Sequence, residues 1–179
     1  LKRVGTDIED WVQVLGGDGG CTAIHPEDSH TIYAEYQRSG NMFRSTDGGG
    51  NFALFSNGIN TNDANSFLSP FMFAPGTSNL YLATDRIYVS NNGSSNWTAV
   101  SGKLPGTAGA AIRDFAIAPS NPLVFYAGTN DGRILVSTDG GASWDLRRID
   151  VPGWPRIMRQ FAIHPQDHLT AYLAVAAYG

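Results

Sequence analysis

Ser45-Thr46-Asp47-Gly48-Gly49-Gly50-Asn51-Phe52 is one of three copies of a short motif in this chain of 179 residues. The others are Ser90-Asn91-Asn92-Gly93-Ser94-Ser95-Asn96-Trp97 and Ser137-Thr138-Asp139-Gly140-Gly141-Ala142-Ser143-Trp144. Their first serines stand 45 and then 47 residues apart, and self-similarity at such a period marks solenoids, propellers and arrays. Ser and Asp side chains hold nearby backbone N–H groups, while glycine takes positive φ at no steric cost. Each copy therefore predicts a tight turn. The closing aromatics Phe52, Trp97 and Trp144 open an apolar strand and are expected to pin the turn beneath the sheet. On that reading Trp144→Ala leaves a cavity worth about 3 to 5 kcal/mol.

A second pattern keeps the same period. An apolar run ends in proline and is followed by tyrosine: Ala23-Ile24-His25-Pro26 with Tyr33, and Phe71-Met72-Phe73-Ala74-Pro75 with Tyr81. It recurs as Phe115-Ala116-Ile117-Ala118-Pro119 with Tyr126, and as Phe161-Ala162-Ile163-His164-Pro165 with Tyr172. The prolines are 49, 44 and 46 residues apart. Each unit reads as four short strands: A ending at the proline, B around the tyrosine, C running into the serine motif, and D from its aromatic. Proline suits a strand end, where no ladder donor is lost. Four strands per period of about 45 residues is the arithmetic of a propeller blade. The expected fold class is all-β, a β-propeller with three complete blades and a split or truncated fourth.

The string S-x-D-x-G-x-x-W between strands C and D resembles the Asp box, or BNR repeat. Proteins with that repeat include sialidases, family 74 xyloglucan hydrolases, the luminal propeller of sortilin and photosystem II assembly factors. The proline and tyrosine lines look most like the secreted bacterial, family 74 or sortilin-like branch. The first and third copies match, with Ser45, Asp47, Gly49 and Phe52, and with Ser137, Asp139, Gly141 and Trp144. The second departs: beside Ser90 and Trp97 it carries Asn92 for Asp and Ser94 for Gly, which predicts a looser turn. The resemblance implies that the boxes are scaffold, not catalytic carboxylates, and that the protein is extracellular, on a cell surface or periplasmic.

Composition bounds the function. A chain that is 42% apolar and only 16% charged can bury a core, and its 21 glycines and nine prolines suit a turn-rich β protein. A net charge of −4 argues against nucleic acid or an anionic membrane surface as partner. The longest apolar stretch, 171–178, is too short for a membrane helix and reads as a strand. Cys21 is the single cysteine and is expected to be a small buried hydrophobe.

The ends pose a puzzle. Residues 157–179 supply strands A and B of a last blade, and residues 1–15 supply strands C and D of a split one, with complete blades at 20–57, 68–101 and 112–149. Counting back from Trp11 sets Arg3 where Arg44 stands, with a degenerate box between. Either the chain closes as a four-bladed ring, or it is an arc of a larger propeller whose open edges need another chain or further strands.

In propellers the D–A and B–C loops share one face, which usually carries the site. Those loops hold Asp18, Glu35, Gln37, Arg38, Asp63, Asp85, Arg86, Asp131 and Trp154. Six residues before the four prolines stand Gly20, Ser69, Arg113 and Arg159, so two arginines enter successive blades at equal height. Arginine holds carboxylates, amides and carboxylates bind hydroxyls, and Trp154 offers a face for a sugar ring. A glycosidase needs two acids about 5 to 9.5 Å apart, for which Asp18, Glu35, Asp63, Asp114 and Asp131 are the candidates. His25 and His164 lie on the opposite face without a third ligand at metal spacing. The leading expectation is a protein- or glycan-binding and assembly module without cofactor or metal, able to self-associate through open edges. A family 74 type hydrolase and a structural repeat of a filament or surface layer are the alternatives.

Overall fold

The computed structural model describes residues 1–7, 10–38, 40–104, 109–147 and 157–176, and their regular structure is all strand. Three antiparallel sheets have four strands each. The first is β3 (Thr22–His25), β4 (Asp28–Glu35), β5 (Met42–Ser45) and β6 (Ala53–Leu54). The second is β7 (Phe71–Phe73), β8 (Leu80–Ala83), β9 (Ile87–Ser90) and β10 (Thr98–Ala99). The third is β11 (Ile112–Ile117), β12 (Phe125–Thr129), β13 (Ile134–Ser137) and β14 (Asp145–Arg147). Each runs in chain order across the sheet, as the A-to-D reading expects. Two half-sheets remain: β1 (Lys2–Arg3) with β2 (Trp11–Val12), and β15 (Ile157–Ile163) with β16 (Ala171–Ala176).

The core lies between sheets, which explains why strands such as Leu80-Tyr81-Leu82-Ala83 are apolar on both faces. Tyr33, Met42, Phe55, Phe71, Leu82, Tyr88 and Trp97 pack together between the first two sheets. Ile87, Ile112, Phe115, Ile117 and Phe125 form the next layer, with Tyr81 and Trp144 against it. Neighbouring sheets meet at β3 and β7, at β8 and β11, and at β15, which lies against β11 and β12. Among the described residues, β1 and β2 make no contact with β15 or β16.

The first and third motifs are built alike. Ser45 Oγ donates to Asp47 Oδ1 at 2.7 Å and accepts from the Gly49 N–H at 2.9 Å. Ser137, Asp139 and Gly141 repeat both bonds at the same lengths. The N–H groups of Asn51 and Ser143 each donate to the aspartate at 2.9 Å. These donors hold the Asp47 carboxyl well below the usual carboxylate range, the Asn51 amide contributing most. Asp139 is lowered to about 2, chiefly by the Ser143 hydroxyl. In the second copy Ser90 Oγ instead donates to the Ser94 carbonyl at 2.9 Å, and Asn92 takes φ 41°. The substitution of Asn92 and Ser94 thus replaces the serine-centred turn with a different one.

Two expectations need correction. Trp144 is only half-buried, its Nε1–H bonded to Gly141 within its own turn at 2.9 Å, and Phe52 is half-buried as well. Trp97 is the buried aromatic, 3% exposed, donating from Nε1 to the Phe55 carbonyl at 2.8 Å. In the split blade, Lys2 and not Arg3 stands where Arg44 does. Lys2 pairs with Val12 as Arg44 pairs with Ala53, and Lys2 Nζ donates to Gly48 O as Arg44 Nη1 donates to Gly93 O. The connection there, lacking the box, is one residue longer.

Candidate functional site

Strand A of a blade begins at the mouth and ends at its proline. In β11 the pairing steps from Ile112↔Thr129 to Asp114↔Gly128, which leaves Arg113 as the extra residue of a β-bulge. In β15 it steps from Met158↔Val175 to Gln160↔Ala174, which leaves Arg159 in the same role. Bulges re-aim a side chain and gather beside functional sites. Both arginines line one cavity of about 260 Å³, with Cys21, Phe67, Leu68, Pro70 and Asp114. Neither guanidinium has an ion pair or hydrogen bond among the described residues, whereas Arg86, Lys103, Arg133 and Arg147 are each paired with an aspartate. Phe67, 65% exposed, adds an apolar wall.

The acids at this face are engaged differently. Asp114 Oδ2 accepts from the Phe161 N–H at 2.6 Å, tying β11 to β15, and burial pushes its carboxyl up. Glu35 is 1% exposed, at the end of β4. Its Oε1 accepts from the Cys21 N–H and its Oε2 from the Ser69 N–H, both at 3.2 Å. Burial, partly offset by these amides, raises it to about 7. Asp131 Oδ1 accepts from Thr129 Oγ1 at 2.5 Å, and Oδ2 lies 3.1 Å from Arg133 Nη2. Asp18 accepts from Gln37 Nε2 at 2.8 Å on the surface.

Asp63 centres a buried network. Arg86 approaches both its oxygens, Nη2 to Oδ1 at 3.0 Å and Nε to Oδ2 at 2.8 Å, and Tyr88 Oη donates to Oδ2 at 2.5 Å. Asp85 accepts from the Ala64 N–H at 3.2 Å and pairs with Lys103 at 2.7 Å. Asp63, Asp85 and Arg86 thus clamp the loop between β6 and β7 onto the second sheet. Arg38, at φ 74°, borders a separate polar depression with Asn41, Thr61 and Asn65. Trp154 lies outside the described residues.

Cys21 corrects another expectation. Its residue is exposed, at the rim of the arginine cavity, and burial of the thiol together with the Glu35 charge pushes it up to about 11. It stays a thiol at neutral pH, so reactivity is not what this position provides. On the opposite face, Nδ1 of His25 and of His164 accepts the N–H two residues on, at 3.2 Å in both, so each histidine shapes its A–B turn. Sequence reasoning found the arginines by counting from the prolines. It missed Phe67, although an apolar residue in the polar segment Asn65-Ser66-Phe67 was a visible signal.

Four-stranded antiparallel sheets stacked face to face, with loops gathered at a shared mouth, define a β-propeller. No family model matches the chain, and no curated protein matches it in sequence. Among solved structures it is similar to an ancestral GH74 enzyme, at 20% identity and TM-score 0.64, over 83% of this chain and 21% of that one. It is similar to the GH74 xyloglucanase from Xanthomonas campestris at 19% identity and TM-score 0.64, over 88% of this chain and 27% of that one. With YCF48 from Cyanidioschyzon merolae it shares 13% identity at TM-score 0.60, over 88% of this chain and 48% of that one. At these identities the likeness shows the fold. The chain spans between a fifth and a half of the length of these three structures.

Proposed function

We propose that the chain is a binding module of the Asp-box kind whose mouth holds an acidic group of a protein or glycan partner. One observation carries this reading: Arg113 and Arg159, bulged at equivalent positions of adjacent blades and without an ion pair among the described residues, line the same cavity. A guanidinium presents a planar fork of donors that fits a carboxylate bidentately, and Phe67 supplies apolar contact beside it. The test is a titration of the chain against acidic peptides and uronate-bearing oligosaccharides, each compared with its neutral analogue. Binding is expected to favour the acidic form, to weaken with salt, and to fall about tenfold or more in Arg113→Ala and in Arg159→Ala. Equal binding of charged and neutral ligands, or affinity indifferent to both substitutions, sinks the reading.

A second reading, a glycoside hydrolase of the family 74 type, draws on the Glu35 carboxyl, raised to about 7 and bordering a cleft beside β1. A general acid works best with its pKa near the operating pH. Against it, Glu35, Asp63 and Asp131 are already bonded within the protein, as described above, which favours the binding module. Release of reducing ends from xyloglucan, lost on Glu35→Ala, Asp18→Ala or Asp131→Ala, would reverse that preference.

A further inference from the structure

Asparagine followed by glycine is prone to lose its side-chain amide without a catalyst, since glycine has no Cβ to shield its nitrogen from the preceding carboxamide. The chain has two such pairs, Asn57-Gly58 and Asn92-Gly93, and both asparagines are exposed. Their surroundings differ. The Asn57 carbonyl accepts from the Trp97 N–H at 2.8 Å, and the Asn57 carboxamide donates to Asn96 Oδ1. Gly58 is pressed on the Trp97 backbone, where a Cβ would strike the carbonyl oxygen. At the second pair, the Asn92 side chain, the Asn92 carbonyl and the Gly93 N–H make no hydrogen bond among the described residues. The corresponding glycines of the other motifs are held, Gly48 N–H on the His30 carbonyl and Gly140 N–H on the Leu123 carbonyl, both at 2.8 Å. A Cβ at Gly93 would meet nothing within 4 Å.

We propose that Asn92 deamidates spontaneously in the folded protein while Asn57 does not, and that the aspartate formed takes up the bonds of Asp47 and Asp139 in the second motif. The Gly93 nitrogen attacks Asn92 Cγ and gives up its proton, the side-chain amide leaves as ammonia, and a cyclic imide closes. Water then opens the imide. Addition at Cγ leaves aspartate in an unaltered chain, and addition at the backbone carbonyl leaves isoaspartate. Overall an amide and a water become a carboxylic acid and ammonia, so no other reactant is needed. Ring closure requires the peptide between the two residues to turn. At Asn57 that turn breaks the bond from Trp97, and at Asn92 it breaks none. In the first and third motifs the aspartate Oδ1 accepts from the serine hydroxyl at 2.7 Å and from the N–H four residues on at 2.9 Å. Ser90 and Asn96 stand at those places in the second, bonded instead to the carbonyl and hydroxyl of Ser94. Because Ser94 replaces the motif's glycine, the two bonds made by the carboxylate are the ones regained. Arg44 Nη1, 2.9 Å from the Gly93 carbonyl, sets a cation beside the new charge.

The whole chain is incubated in warm, mildly alkaline water labelled with heavy oxygen, both folded and in urea, and its tryptic peptides are followed by mass spectrometry. Trypsin separates the two pairs into residues 45–86 and 87–103, and fragmentation locates the converted residue. Only conversion during the incubation fixes the label. In urea the two pairs are expected to convert at similar rates. In the folded protein Asn92 is expected to convert about tenfold or more faster than Asn57, whose opening sacrifices two hydrogen bonds. Folded Asn92 as slow as folded Asn57 overturns the site. Urea unfolding of Asn92→Asp tests the bonds of the product. Its midpoint is expected above that of the parent, and the gain is expected to vanish when both proteins also carry Ser90→Ala. A midpoint at or below the parent's, or a gain that survives Ser90→Ala, overturns the role given to the carboxylate.

Discussion

Replacing Trp97 with alanine removes an indole that is 3% exposed, packed at 5.4 Å between ring centroids against Phe55, and bonded to the Phe55 carbonyl. Truncating a buried tryptophan costs about 3 to 5 kcal/mol in lost transfer energy and cavity. The stranded carbonyl adds about 1 to 3 kcal/mol. Together these approach the whole stability of an ordinary domain, about 5 to 15 kcal/mol. Trp144 is half-buried and bonds only within its own turn, so Trp144→Ala is expected to cost roughly half the cavity figure, about 2 kcal/mol. Urea unfolding followed by circular dichroism measures both. Trp97→Phe keeps most of the ring volume but loses the donor, and at about 1 to 3 kcal/mol it remains measurable if the alanine variant does not fold. Trp144→Ala costing as much as Trp97→Ala would refute the assignment of the inter-blade anchor to the second motif.

Glu35 predicts a pH dependence. Its folded pKa of about 7 exceeds its ordinary value of 4.5, so between them the folded state keeps a proton that the unfolded chain has released. Stability should therefore fall as pH rises from 4.5 to 7 and level off above, by up to about 3 kcal/mol. Glu35→Gln should flatten that slope in denaturation midpoints, and parallel slopes in the two proteins would show that another group titrates. Ser45→Ala strands the buried Gly49 N–H and should cost about 1 to 3 kcal/mol, whereas Ser90→Ala removes a single donation and should cost about 1 kcal/mol or less. Equal losses in urea unfolding would mean that the second turn is held as the first is. Gly58 has φ +93°, and a Cβ there would strike the Trp97 carbonyl oxygen, while Gly76, at φ +70°, faces open space. Gly58→Ala should therefore lower the unfolding midpoint clearly more than Gly76→Ala, and a reversed order would contradict the contact.

The blades were legible because two independent patterns, the serine motif and the proline-tyrosine lines, share a period that only a repeated four-stranded unit satisfies. Where a pattern decayed, so did the reading. With no box between Val4 and Asp10, no residue pattern set the length of that connection, and counting from Trp11 chose Arg3 over Lys2. Burial of the motif aromatics was illegible for another reason. Trp97 and Trp144 occupy the same motif position, but Phe55 and the loop after it close over the first and not the second, and that depends on a neighbouring blade.

The site was half legible for a related reason. Counting from the prolines put Gly20, Ser69, Arg113 and Arg159 at one height, but it could not reveal that β11 and β15 bulge there. The bulge matters because it frees the residue from strand alternation. Ile112 and Phe115 stay in the core on either side while Arg113 lines the cavity. Side-chain chemistry at the mouth is thereby uncoupled from packing between blades. The two remaining strand entries carry Gly20 and Ser69, beside the buried Glu35, so the mouth has cations on one side and small residues over a raised carboxyl on the other. Since neither arginine is bonded within the described fold, exchanging both for alanine should alter binding while leaving the urea midpoint close to that of the parent, within the roughly 0.5 kcal/mol typical of surface changes.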